Sequence, residues 1–127
     1  MKKKILISAS AIIFILVLAV VVVFNKLSTN LRQIELPDIS DIDLTQIEDG
    51  VYTGSYSSFP LSAVVKVVVM SHKITGFDLV EHYHGRGTAA EAILGEVVDT
   101  QSLDVDIVSG ATYSSKVILN AIADALK

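Results

Sequence analysis

The 127-residue chain contains no Cys and no Trp, and only two Pro and three His. Without Cys there is no disulfide, no thiolate metal site, no thiol redox centre and no acylated lipoprotein anchor. Any redox role would therefore need an added cofactor. Basic residues are the minority, 10 Lys and Arg against 14 Asp and Glu. With no basic patch to neutralise phosphates, the composition argues against nucleic acid as a partner. The length permits one domain with an appendage and excludes a large multidomain catalyst. The chain has no internal repeat, no low-complexity tract and no Ser/His/Asp constellation for nucleophilic catalysis.

What the chain does have is apolar residues, 51% of the total, unevenly placed. Ile5 to Phe24 is a 20-residue run without charge, interrupted only by Ser8 and Ser10. As a helix it would reach about 30 Å, the thickness of a bilayer's hydrocarbon core. Lys2, Lys3 and Lys4 precede it, so the positive-inside rule places residues 1–4 in the cytoplasm and everything after the span outside. A cleaved signal peptide is the competing reading. Against it, the run is long for a signal core, and Val20 to Lys26 offers no small-x-small cleavage site. The expected location is therefore the cell membrane, by a single pass.

Residues 25–48 read as an acidic, solvated stalk, partly helical. Between Leu27 and Asp49 lie six carboxylates, with Arg32 offsetting them and Pro37 opposing one continuous helix. Asp49-Gly50 signals a turn that opens a domain over residues 49–127. Val51 to Tyr56 and the Val-rich Val64 to Met70 read as strands. Ser71-His72-Lys73 reads as the turn into a third strand over Ile74 to Tyr83. Ala90, Ile93, Leu94, Val97 and Val98 recur at helical spacing over Thr88 to Thr100. Asp104 to Val108 suits a short strand. Val117, Ile118, Ala121, Ile122, Ala125 and Leu126 form one face of a C-terminal helix. The expected fold is α+β, a small antiparallel sheet packed against two helices and preceded by one N-terminal transmembrane helix.

The chemistry concentrates in Asp106-Ile107-Val108-Ser109-Gly110-Ala111-Thr112-Tyr113-Ser114-Ser115. A strand gives way to a small-residue turn and then to a helix, whose first N–H groups lack intrahelical partners and carry partial positive charge. Phosphate suits such a place, particularly where Gly110 and Ala111 let backbone approach closely. N-capping by Ser or Thr is the alternative use of the same residues.

Asp106, Ser109, Gly110, Ala111 and Thr112 together resemble the attachment motif of the FMN-binding domain family, whose flavin is covalently bound: Asp, two residues, Ser or Thr, then Gly-Ala-Thr. Members include flavin subunits of the sodium-pumping NADH:quinone reductase and of Rnf complexes. The resemblance runs from about Gly50 to Lys127. Asp49 to Gly54 is similar to the family's first strand, Lys73-Ile74-Thr75 to its hairpin exit, and Gln101-Ser102 stands before the Asp as is usual. It implies that a FAD-dependent flavin transferase places FMN on Thr112 through a phosphoester, with Asp106 in the recognition motif and Ser109 and Gly110 along the phosphate. Ser114 and Ser115 fill the first helical turn, with Ser115 counted in the cofactor-binding set. The polar Gly-rich segment implies His84, Gly85 and Gly87 beside the isoalloxazine. Arg86 would meet a flavin carbonyl or phosphate, or simply solvent, and Tyr83 would stack on the ring or pack in the core. At this segment the chain departs from the Pro-Gly run common in the family.

His82 and His84 stand two apart, a spacing that on a strand puts both on one face and suits a metal, with Glu81 and His72 as further ligands. Two His without a fuller ligand pattern are weak evidence for a site. The sequence thus leads to a membrane-anchored, extracytoplasmic electron carrier with FMN on Thr112, with no substrate chemistry of its own. A non-covalent FMN module and an anchored metal-binding module using His82 and His84 are the alternatives. The carrier reading implies a membrane-embedded electron donor and an exterior redox acceptor, since a span without His or Cys has no place for a haem or cluster.

Overall fold

The computed structural model describes residues 1–83 and 88–127. The helix α1 (Lys2–Arg32) carries the apolar run and continues beyond it to Arg32. Its residues as far as Lys26 are exposed, and the helix is long and apolar enough to cross a membrane.

Three strands follow as an antiparallel meander in the order β1 (Gly50–Ser58), β2 (Leu61–Met70) and β3 (Lys73–Tyr83). The central strand alternates cleanly. Leu61, Ala63, Val65, Val67 and Val69 face inward and are buried, while Lys66 and Met70 face solvent. A half-buried antiparallel sheet has this period of two. Ser71 and His72 have positive φ of 52° and 60°, and Met70 pairs with Lys73 across them, the geometry of a two-residue hairpin turn. Neither residue is glycine, and the turn is braced from outside. Asp49 Oδ1 accepts from Ser71 N at 2.6 Å, and His72 Nδ1 lies 2.9 Å from Ile47 O.

The helix α3 (Thr112–Leu126) covers the inner face, packing on β1 and β2, and buries ten of its residues. Contact with β1 is closest at Gly54, where a Cβ would collide with the backbone of Ala121 and Ala125. The shorter α2 (Ile93–Thr100) lies by β3.

Three expectations need correction. Thr88 to Thr100 is not one α-helix, because Thr88–Ala92 is a 3₁₀ turn ahead of α2; its three-residue repeat carries both Ala90 and Ile93 into the core. Asp104 to Val108 joins no strand among the described residues. Asp104 N donates to Ser102 Oγ and Val108 N to Ser115 Oγ, so these amides are used by side chains instead of a sheet. The third correction concerns the stalk. Ile34 is 1% exposed, and Leu31, Ile39, Ile42, Leu44 and Ile47 pack on the core. Lys116 Nζ donates to Ile34 O at 3.1 Å and Asn120 Nδ2 to Glu35 O at 2.8 Å. The segment after α1 is therefore a strap bound to the domain. Its apolar residues go inward, while Asp38 and Asp43 stay outside and accept bonds from the N–H and hydroxyl groups of Ser40 and Thr45. Those bonds hold both carboxyls below their ordinary value of 3.8.

Candidate functional site

The turn before α3 is held by three contacts. Ala111 N donates to Val108 O at 3.0 Å. Ser115 Oγ donates to Ala111 O at 2.7 Å and accepts from Val108 N at 3.3 Å. Gly110 sits at φ +80°, with open space where a Cβ would stand. Its left-handed conformation reverses the chain at a position where a side chain would be strained. Ala111 is tucked inward at 5% exposure, and Ser109, Gly110 and Thr112 are left exposed.

Ser115, expected among the cofactor-binding residues, is fully buried. Its hydroxyl is used both as donor and as acceptor within the turn, so it shapes the site from behind. Ser114 is also buried. Asp106 is exposed and, among the described residues, accepts no hydrogen bond, so it does not tie down the turn.

Thr112 is the first residue of α3. The cap residue is Ala111, and no side chain caps the helix. Among the described residues the N–H groups of Thr112, Tyr113 and Ser114 have no partner, the first helical bond being Ser115 N to Ala111 O at 2.9 Å. The capping use of these hydroxyls is therefore not taken. What remains is an exposed threonine hydroxyl beside orphan donors at the positive end of a 15-residue helix. An esterified phosphate fits this arrangement: a hydroxyl to carry it, open space at Gly110, and N–H groups to receive its charge.

His84, Gly85, Arg86 and Gly87, the residues expected beside the flavin ring, lie outside the described residues. His82, two residues before His84 on β3, is described. Two bulges in β3, at Thr75 and Val80, interrupt the pairing with β2 and shift the strand's phase. As a result Ile74, Phe77, Leu79 and His82 lie opposite Val69, Val67, Val65 and Ala63, the inward residues of β2. The His82 side chain is 3% exposed, and its Nδ1 is 3.1 Å from Glu91 Oε1 in the 3₁₀ turn. Glu81 pairs across from Val64 on the outer side, and His72 is at the other end of β3, ten residues and roughly 30 Å away. Neither joins His82, and no group of three metal-ligating side chains occurs among the described residues. Tyr83 is 61% exposed and not in the core. Its hydrogen bond with the Glu81 carboxylate, and that carboxylate's charge, raise its hydroxyl above the ordinary 10.0.

A family model described as the FMN-binding domain matches residues 60–127, just over half of the chain. The chain belongs to the FMN-binding domain family. FMN is its cofactor. No curated protein matches the chain. Within this FMN-binding domain the match takes in β2, β3, α2, the turn at Gly110 and all of α3, and it begins at Pro60, so α1, the strap and β1 lie outside it.

Sequence reasoning missed the residues that connect this site to the remainder of the fold. Gln101, at φ +54° after α2, bonds the backbone of Ile74. Asp124 Oδ2 accepts from Ser55 N at 2.9 Å, joining α3 to β1. Lys116 and Asn120 clamp the strap. The resemblance marks Gln101 only by its place before Asp106, and the others are ordinary polar residues in the sequence; the structural role of each comes from a partner far along the chain.

Proposed function

We propose that this FMN-binding domain is a membrane-anchored, extracytoplasmic electron carrier whose FMN is joined to Thr112 by a phosphoester. One observation carries the reading: Thr112 stands exposed at the uncapped start of α3, beside the open turn at Gly110.

Attachment would be the work of a flavin transferase acting on FAD. The Thr112 hydroxyl attacks the phosphorus on the FMN side, the pyrophosphate bond breaks, AMP departs, and the threonine proton passes to a base on the transferase. A threonine hydroxyl is a weak nucleophile at neutral pH, and among the described residues no base stands against it, which agrees with an external catalyst. Asp106, exposed and without a hydrogen-bond partner among the described residues, is available for the transferase to recognise. The new phosphodiester keeps one negative charge, and the N–H groups of Tyr113 and Ser114 with the helix dipole would hold it.

Bound FMN supplies one- and two-electron exchange. The chain contributes retention and position. A covalent bond keeps the cofactor independent of its affinity, which matters outside the cell. The donor would be a membrane-embedded partner and the acceptor an exterior redox protein or molecule. Binding of the strap to α3 supports a carrier held at the membrane surface, in place of one reaching outward on a loose tether.

The test is the intact mass of the full chain, co-expressed with a flavin transferase and measured under denaturing conditions. The expected result is a gain of one FMN less one water, absent from Thr112→Ala. An unmodified mass beside a competent transferase overturns covalent attachment, and yellow native protein in that case would establish reversible FMN binding.

A further inference from the structure

We propose that the tip of the β1–β2 hairpin, with Phe59 at its apex, seats in the lipid headgroup layer beside α1 and gives the domain a second contact with the membrane. This rests on the reading of α1 as a membrane span.

The hairpin tip is attached to α1 just above its apolar run. Ser58 Oγ donates to Asn30 O at 3.4 Å. Lys26 is the first charge after the run, and Asn30 is four residues further, about 6 Å of helix. That is the level of the polar layer flanking the hydrocarbon core. Along α1 the residues turn from exposed to half-buried at Leu27, Ser28 and Leu31, so the helix meets the domain at this height.

The tip has the chemistry that such a layer accepts. Phe59 is 72% exposed, the most exposed large apolar side chain among the described residues that follow α1. No charged residue occurs from Gly50 to Val65, the whole hairpin up to Lys66. The opposite end of the sheet differs, with Asp49, His72 and Lys73 at the turn. Lys26 and Arg32 lie below and above the tip on α1, both exposed, where anionic headgroups would meet them. Phe, like Trp and Leu, is among the side chains that interfacial segments bury at the boundary between headgroups and acyl chains. With α1 as the first point of attachment and Phe59 as the second, the domain's tilt on the bilayer is fixed, and with it the direction in which Thr112 faces.

The chain has no Trp, so Phe59→Trp and Phe24→Trp each introduce a sole reporter at an exposed position. The full-length variants are placed in vesicles of zwitterionic phospholipid with added anionic phospholipid, with and without bromine on the upper acyl carbons. The expected result is that the reporter at 59 loses most of its emission in brominated vesicles and resists aqueous acrylamide. Full emission at 59 with quenching at 24 overturns the hairpin contact and leaves the span intact. Absence of quenching at both positions overturns the span itself, and the hairpin contact falls with it.

Discussion

Gln101 and Ile74 pair through their amides. Ile74 N donates to Gln101 Oε1 at 2.7 Å, and Gln101 Nε2 donates to Ile74 O at 2.7 Å. The side chain thereby occupies the place of a further strand on β3. Gln101 Nε2 also donates to Val98 O at 2.6 Å, closing the end of α2. One amide thus joins the sheet, the helix and the segment leading to Asp106.

Gln101→Ala should cost about 1–3 kcal/mol, since it leaves partly buried backbone groups unpaired. Because position 101 has positive φ, Gln101→Gly should lose about 1 kcal/mol less than the alanine variant. Urea denaturation of the two proteins checks both the loss and the order. Equal stability to the parent would mean that water replaces the amide without penalty.

Ser115→Ala should loosen the turn that presents Thr112. Val108 N–H loses its acceptor, which should cost about 1–2 kcal/mol. Hydrogen exchange at the Val108 amide should accelerate more than exchange in the middle of α3. Uniform acceleration along the helix would show instead that the serine acts only on global stability.

Ile34→Ala should destabilise the whole domain by about 2–4 kcal/mol, as expected for a buried aliphatic side chain cut back to a methyl. A free stalk would tolerate the change. Thermal unfolding of the intact protein in detergent decides between the two, and an unchanged midpoint would rule out the bound strap.

Asp38 and Asp43 have carboxyls lowered by their hydrogen bonds to Ser40 and Thr45. A lowered native pKa stabilises the fold above the unfolded value and is lost as pH falls through the native one. The strap should therefore hold at neutral pH and begin to loosen only below about pH 4. Carboxyl NMR titration should give midpoints for both residues under 3.8, and values above it would contradict the bonding described.

Elements whose signal is local are legible in the sequence alone. The charge-free run of α1, the Val-rich run of β2, the turn at Ser71 and the apolar face of α3 are legible within a few neighbouring residues. The motif from Asp106 to Thr112 was legible in the same way, because its spacing is contiguous. Features whose partner is remote emerge only in the folded chain. Ile39, Ile42, Leu44 and Ile47 lie among carboxylates, so average composition made them a stalk, until a core surface was present to receive them. That His82 shares the inward face with Phe77 and Leu79 depended on the bulge at Val80, since a one-residue slip exchanges the faces of a strand. Whether Ser115 faces a ligand or the turn, and whether Gln101 faces water or Ile74, depended on which backbone groups the finished fold left unpaired. Burial makes those groups costly to leave unsatisfied, and only the assembled chain shows which they are.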